Sequence, residues 1–539
     1  MSAPPTASPT ASPTASPTAP SQPDPRRWLA LVALSLSMLV LSFDTTILNV
    51  ALPTMADRIG ADTGDMQWIV DSYTVVFAAL MLPAGLLGDR FGRRTMLVAG
   101  LAVFLAGSLL GSLVHSPGPV IAARTVMGLG GAFVMPLALS VIPSLFGPAE
   151  RPRAVAIAST AMAFGMPLGP IIGGALLEHF WWGSVFLVNI PLVALAIAAC
   201  FALLPETTDP AAPRVRATST FCTAAGLGAL VYGIIEAPTR GWGDPLVAAM
   251  LAAGAVLLAT LVLRERSVER PMLDMGLLRQ RGFLWNTVAA TLVSFILTGM
   301  VFVLPSYLQS TLGYDALGTG LRLLPMMGGL MVAARIAPAL TAKGGPRPVI
   351  VAGLLVLAAG AFLGATTADG DGYSRTAGWL AVAGVGFGLS IVPAMNSALG
   401  ALPRERAGSG SGLLQTLRQT GAAVGVAILG SVLAAGYTGR LDTAGLSPDA
   451  AATARDSLVG AHAVAARLGD RALAASADSS YLHGMNLTLV VCGAAALVTA
   501  LLVAAFLPNP RQERTAAPPA AQGAEGADTM AARPADARQ

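Results

Sequence analysis

Residues Gly85 to Arg94 read GLLGDRFGRR and stand between two apolar runs, about 66 to 87 and 95 to 114. Each run is long enough to cross a bilayer at roughly 1.5 Å of rise per residue. The charges are therefore packed into a very short turn between two membrane helices. Arg90, Arg93 and Arg94 outnumber Asp89, so the turn is net positive and reads as cytoplasmic. Gly85 and Gly88 remove side chains where helices must approach closely, and Gly92 permits a backbone geometry that other residues resist. Asp89 stands four residues before Arg93, the spacing of a helical ion pair. A basic loop that served only as a topological anchor would not need those glycines.

Composition agrees with a chain threaded repeatedly through a membrane. Of 539 residues, 54% are hydrophobic and only 12% charged, against about 25% charged in ordinary globular chains. The net charge of +4 does not point to nucleic acid, because the arginines collect in alternate loops. Fourteen apolar runs are long enough to span: about 29 to 52, 66 to 87, 95 to 114, 119 to 143, 152 to 176, 184 to 204, 219 to 236, 246 to 263, 284 to 304, 319 to 339, 348 to 366, 377 to 400, 411 to 435 and 482 to 507. The basic loops put both termini on the cytoplasmic side of the cell membrane. Residues 1–26, rich in Pro, Thr, Ala and Ser, and residues 511–539 read as disordered tails. The segment 436–481 is polar and Ala-rich, and reads as an external helix or loop. Cys200, Cys222 and Cys492 lie in or beside apolar runs without metal-ligand spacing and read as small apolar side chains.

The turn resembles the cytoplasmic loop signature of the major facilitator superfamily, G-x-L-a-D-R-x-G-R-[KR], with Gly88 in place of the usual Ala. That resemblance implies an all-α membrane fold of two six-helix bundles, residues 27–206 and 271–510, with two additional helices between them at 207–270. The loop before the eleventh span, with Arg335, Lys343, Gly345 and Arg347, is a degraded copy of the turn.

Ionisable residues inside spans are costly and mark function or pairing. Asp44 lies in the first span (FDTTILNVALP, Phe43 to Pro53), Asp71 in the second (WIVDSY, Trp68 to Tyr73) and Arg124 in the fourth. Helix rise puts all three in the outer half at similar depth, about 8–13 Å from their helix ends, so they are expected to meet around one cavity. One guanidinium cannot neutralise two carboxylates, and a carboxylate left over is a proton carrier. The bland alternative is a fixed ion pair that only locks the bundle.

These segments, with R-x-x-x-G-x-G-G-A from Arg124 to Ala132, resemble fourteen-helix drug:proton antiporters of the QacA/EmrB type. The resemblance implies proton coupling at Asp44 and Arg124, and the second-span acid is closer to exporters of cationic compounds. The fifth span reads GMPLGPIIGG from Gly165 to Gly174 and matches the antiporter signature G-x-x-x-G-P-x-x-G-G. Gly165, Gly169 and Gly173 share one helix face with Gly174 beside them, and Pro167 and Pro170 remove helical hydrogen bonds at that seam. Two further segments are similar to the family, FWWGSVFLVNIP from Phe180 to Pro191 and the thirteenth span around Arg418. Arg418 is expected to partner helix ends.

The implied function is proton-coupled export of hydrophobic or cationic small molecules by a monomer in the lipid bilayer. The alternatives are a dedicated exporter of one natural product and a non-transporting sensor. No phosphate-cradling loop or metal-ligand spacing suggests an enzyme, a cofactor or ATP use.

Overall fold

The computed structural model describes residues 26–147, 150–208, 215–268, 275–402 and 407–508; most of the two expected tails lies outside them. Among the described residues, fourteen helices are long and apolar enough to cross a membrane. In the first half these are Arg27–Ile59, Thr63–Phe91, Arg93–Leu113, Pro117–Leu145, Arg151–His179 and Ser184–Leu203. The seventh and eighth are Ala217–Arg240 and Pro245–Arg266. The last six are Arg281–Thr311, Ala316–Gly344, Pro346–Gly364, Tyr373–Gly400, Ala407–Thr438 and Arg471–Phe506.

Packing repeats between the halves. In the first, span one lies against span five, two against four, three against four, and three against six. In the second, nine lies against thirteen, ten against twelve, eleven against twelve, and eleven against fourteen. The same pairs recur with an offset of eight, as expected of one six-helix unit used twice. The halves meet reciprocally, span two on thirteen and span five on ten. The extra pair forms its own hairpin, and its first member docks where span two meets thirteen.

The basic turns carry the repeat to the level of single bonds. Gly92 has φ of 112° and Gly345 has φ of 87°, and each bonds back through its N–H, to the carbonyls of Gly88 and Thr341. Arg94 donates to the carbonyl of Leu204 at the inner end of span six, and Arg347 donates to that of Ala504 at the end of span fourteen. The second-half turn keeps this glycine geometry but has no counterpart of Asp89.

The segment 436–481 proves to be helical. Pro448–Asp456 and Leu458–Leu468 form a hairpin, and the last span begins three turns earlier than expected, at Arg471. Ser447, Ser457 and Asp470 cap these helices. Tyr437 Oη donates to the carbonyl of Ala454 at 2.8 Å, and Thr63 Oγ1 to that of Asp456 at 2.9 Å. The hairpin thereby rests on span thirteen and on the start of span two. All three cysteines are buried and unpaired.

Candidate functional site

Arg124 and Asp44 are both 1% exposed. Arg124 Nη1 donates to Asp44 Oδ2 at 2.6 Å. The other carboxylate oxygen accepts from Asn189 Nδ2 at 2.8 Å. Arg124 Nε donates to the carbonyl of Ile69, and its guanidinium lies 4.3 Å from the centre of the Tyr73 ring. Asn189 also reaches Ser108 Oγ, which donates to the carbonyl of Phe186. One carboxylate thus ties spans one, four and six together, and its guanidinium partner brings in span two. Burial without water makes such a pair costly to assemble and more costly to break.

The sequence missed Asn189. It begins the main helical stretch of span six, after a short break in the helix at Val188. Its only signal was an amide in the otherwise apolar run FLVNIP, whose tryptophans drew the interfacial reading. Phe180 and Trp181 are indeed exposed, while Trp182 is buried.

Asp71 does not join this cluster, contrary to the expectation from depth. Ile69 and Tyr73, which hold Arg124, lie on one face of span two. Asp71 is two residues from each and therefore faces away. Its neighbours one turn to either side fix its surroundings. Gln67 Nε2 points at the carbonyls of Val426 and Ala427 on span thirteen, and Val75 packs with Val231, Ile234 and Ala427. Asp71 therefore sits in the seam between span two, span seven and span thirteen. It is fully buried, and among the described residues neither carboxylate oxygen has a hydrogen-bond partner.

In the basic turn, Arg93 Nε donates to Asp89 Oδ1 at 2.7 Å and Arg93 Nη1 to the carbonyl of Ser140. Arg90 lies over the ring of Phe91. A side chain on Gly88 would collide with Leu137 of span four, and one on Gly85 would touch Pro136. The residue the sequence did not single out is Glu206, just past span six. Its carboxylate accepts from the backbone N–H groups of Arg94 and Thr95 and from Thr95 Oγ1, and pairs with Arg94 at 3.6 Å. It caps the start of span three from a distance in sequence. A Cβ at Gly92 would lie 2.6 Å from Glu206 Oε1, so only glycine leaves room for the clasp.

The fifth-span glycines divide their contacts. Gly165, Gly169 and Gly173 lie against Leu39, Thr46 and Ile47 of span one, whereas Gly174 lies against Ala316 and Leu317 of span ten. Gly320 returns the contact by resting on the carbonyl of Pro170. The helix runs unbroken through Pro167 and Pro170. Gln309 Nε2 adds a bond to the carbonyl of Val50 at 2.8 Å, so several contacts join the halves at this end of the bundle.

A buried ion pair within a bundle of fourteen spanning helices, built as a repeated six-helix unit, defines a polytopic membrane carrier. Residues 34–426 match the family model described as Major Facilitator Superfamily, and the chain belongs to that family. It is 32% identical over 488 residues to the tetracenomycin C resistance and export protein of Streptomyces glaucescens, covering 88% of this chain and 90% of that one. It is 33% identical over 483 residues to the multidrug efflux pump LfrA of Mycolicibacterium smegmatis, covering 89% and 96%. In fold it resembles a bacterial homologue of the human lysosomal transporter Spinster in an inward-facing, unoccupied conformation. The TM-score is 0.65 at 18% identity, over 90% of this chain and 98% of that one.

Proposed function

We propose that this chain is a proton-coupled exporter of hydrophobic small molecules. It works as a monomer in the cytoplasmic membrane, with both termini inside, by alternating access. The observation that carries the reading is the carboxylate of Asp44, sealed in the membrane interior against Arg124 and Asn189. Adding a proton to Asp44 removes the charge that holds Arg124. This loosens the tie between spans one, two, four and six and couples ion occupancy to helix packing. Asp71 is a second proton-accepting group in this reading, in its own seam rather than at the same guanidinium. The Gly85–Arg94 turn gates the cytoplasmic side, and the Pro170–Gly174 end of span five, which meets span ten, is the surface that parts while Gly165, Gly169 and Gly173 hold the helix to span one. Residues 27–206 and 271–510 act as the two moving bodies, with 207–270 inserted between them.

Support comes from relatives named as a multidrug efflux pump and as antibiotic resistance and export proteins. Another, the puromycin resistance protein of Streptomyces alboniger, is 34% identical over 438 residues. Two of these names specify one antibiotic, which favours a second reading, a dedicated exporter of one natural product. The test uses inverted membrane vesicles with an imposed gradient, acid inside. The reading expects the gradient to drive dye accumulation in wild-type vesicles and nigericin to abolish it. Accumulation that ignores the gradient would overturn proton coupling, and a panel in which one compound alone is pumped would select the dedicated exporter.

A further inference from the structure

Arg418 lies about three turns into span thirteen from its Ala407 end, about 16 Å along the helix, where an ionisable residue without a role is costly. The sequence reading gave it helix ends as partners, but the structure gives it Gln415, whose Oε1 accepts from Arg418 Nε at 2.7 Å. That bond occupies one edge of the guanidinium. Among the described residues no carboxylate pairs with the rest, and the side chain is half-buried while Leu414 and Ala422, one turn to either side, are buried.

Its direction follows from its neighbours on the helix. Gly421 and Gly425, on one side, close against Thr291 and Phe295 of span nine. Gln415, on the other, sets its amide against Met135 Sδ of span four at 3.7 Å. Thr416, Ala423 and Ala427 occupy the opposite face, toward spans two and seven. Arg418 therefore projects into the sector between the second half's own span nine and span four of the first half, the interior where the halves face each other.

Spans nine to thirteen contain no Asp or Glu, whereas they carry several cations, among them Arg322, which lies over the Tyr314 ring, Arg335 and Arg418. Asp44 and Asp71, the acids deep inside the first-half spans, are sealed: Asp44 is occupied by Arg124 and Asn189, and Asp71 is shut in its seam. A cargo entering between the halves meets a guanidinium fixed by Gln415, with planar N–H donors free. Such a fork suits a carboxylate, a phenolate or a sulfonate.

We infer that Arg418 is a cargo-binding residue, and that the cargo is a hydrophobic ring system bearing an anionic oxygen group, which the guanidinium pairs with in the membrane interior. The inference rests on the export reading for its context, but recognition and transport separate experimentally. Fluorescein and rhodamine 6G share a xanthene core and carry opposite charge. Binding of each to the purified full-length protein in detergent is followed by fluorescence polarisation, with no gradient present.

Wild-type protein is expected to bind fluorescein more tightly. Arg418→Gln should weaken fluorescein about tenfold or more, the scale of a lost charged hydrogen bond, and should tighten rhodamine 6G by removing a like charge. Arg418→Lys, which keeps the charge but not the fork, should fall between. Wild-type protein that binds neither dye, or that favours rhodamine 6G, would overturn the inference. So would an equal loss of both dyes in Arg418→Gln and Arg418→Lys, which would make the residue a structural brace. If binding depends on Arg418 but a pH gradient fails to drive fluorescein into vesicles, the export reading fails and the cargo site stands.

Discussion

Replacing Asp44 with Asn keeps the shape of the side chain and removes its charge. It leaves Arg124, 1% exposed, with a neutral acceptor in place of the carboxylate at 2.6 Å. Stripping one partner from a buried pair costs about 3–5 kcal/mol, because the surviving charge has neither water nor counter-charge. Arg124→Gln should cost a similar amount from the other side, leaving Asp44 with the Asn189 bond alone. Against a total stability of roughly 5–15 kcal/mol, each single variant should be severely weakened. The double variant places two neutral amides in the same space, so its loss should fall short of the sum of the singles by at least about 2 kcal/mol.

Reversible unfolding in mixed micelles with increasing sodium dodecyl sulfate, read by tryptophan fluorescence, measures all four corners of that cycle. Transport on the same preparations decides what the pair is for. If it couples protons, the double variant recovers stability but the pH gradient no longer drives accumulation. If it only locks the bundle, stability and driven transport recover together. Single losses that simply add, to within about 0.5 kcal/mol, would refute the reasoning, because the two side chains would then not depend on each other in the folded protein.

Four further outcomes are expected. Asp71→Leu removes a buried carboxylate with no described partner and should raise stability, by about 1–3 kcal/mol in unfolding titrations; a loss of stability would mean that its seam holds a compensating group. Gly92→Ala both strains a residue at φ of 112° and crowds Glu206, at a cost of about 1–3 kcal/mol. Glu206→Ala should relieve part of that cost in the double variant, and hydrogen exchange at Arg94 and Thr95 should rise in Glu206→Ala alone. Gly320→Ala forces Cβ onto the carbonyl of Pro170, so spin labels at exposed Arg58 and Asp369 should report a wider gap between the halves, and unchanged distances would sink the assigned contact. Burial and the nearby charge of Asp62 hold the Asp456 carboxyl above its ordinary range. The folded hairpin then binds more protons than the free one, so its docking weakens as pH rises from about 4 through the raised value, and exchange protection at 448–468 should be greater at about pH 4 than at about pH 7.

What the sequence made legible was whatever is written in local spacing. The ten residues from Gly85 carry their own explanation: an acid and a base one turn apart, with glycines where Leu137 and Glu206 come close. The count of spans follows from length and hydropathy. What depth alone could not supply was direction. Asp44 and Asp71 lie at similar heights, yet the two-residue offset of Asp71 from Ile69 and Tyr73 turns it away from Arg124, a separation that helical phase contains and distance along the axis does not. Asn189 and Glu206 were out of reach for another reason. Their partners lie 145 residues away, at Asp44, and 112 residues away, at Arg94, and nothing in an amide or a lone glutamate names a partner that remote.

The division of labour within span five shows how the fold can move without coming apart. Gly165, Gly169 and Gly173 bind the helix to span one inside its own half, through contacts so close that any side chain would push the helices apart. Gly174 and the carbonyl of Pro170 face the other half instead, meeting Leu317 and Gly320. The first set is spread over more than two turns, so separating it would expose a long strip of backbone. The second set occupies one end, where the Gln309 bond to Val50 and the Thr63 bond to the carbonyl of Asp456 also join the halves. Under a force that parts the halves, the end contact gives way first and the strip holds.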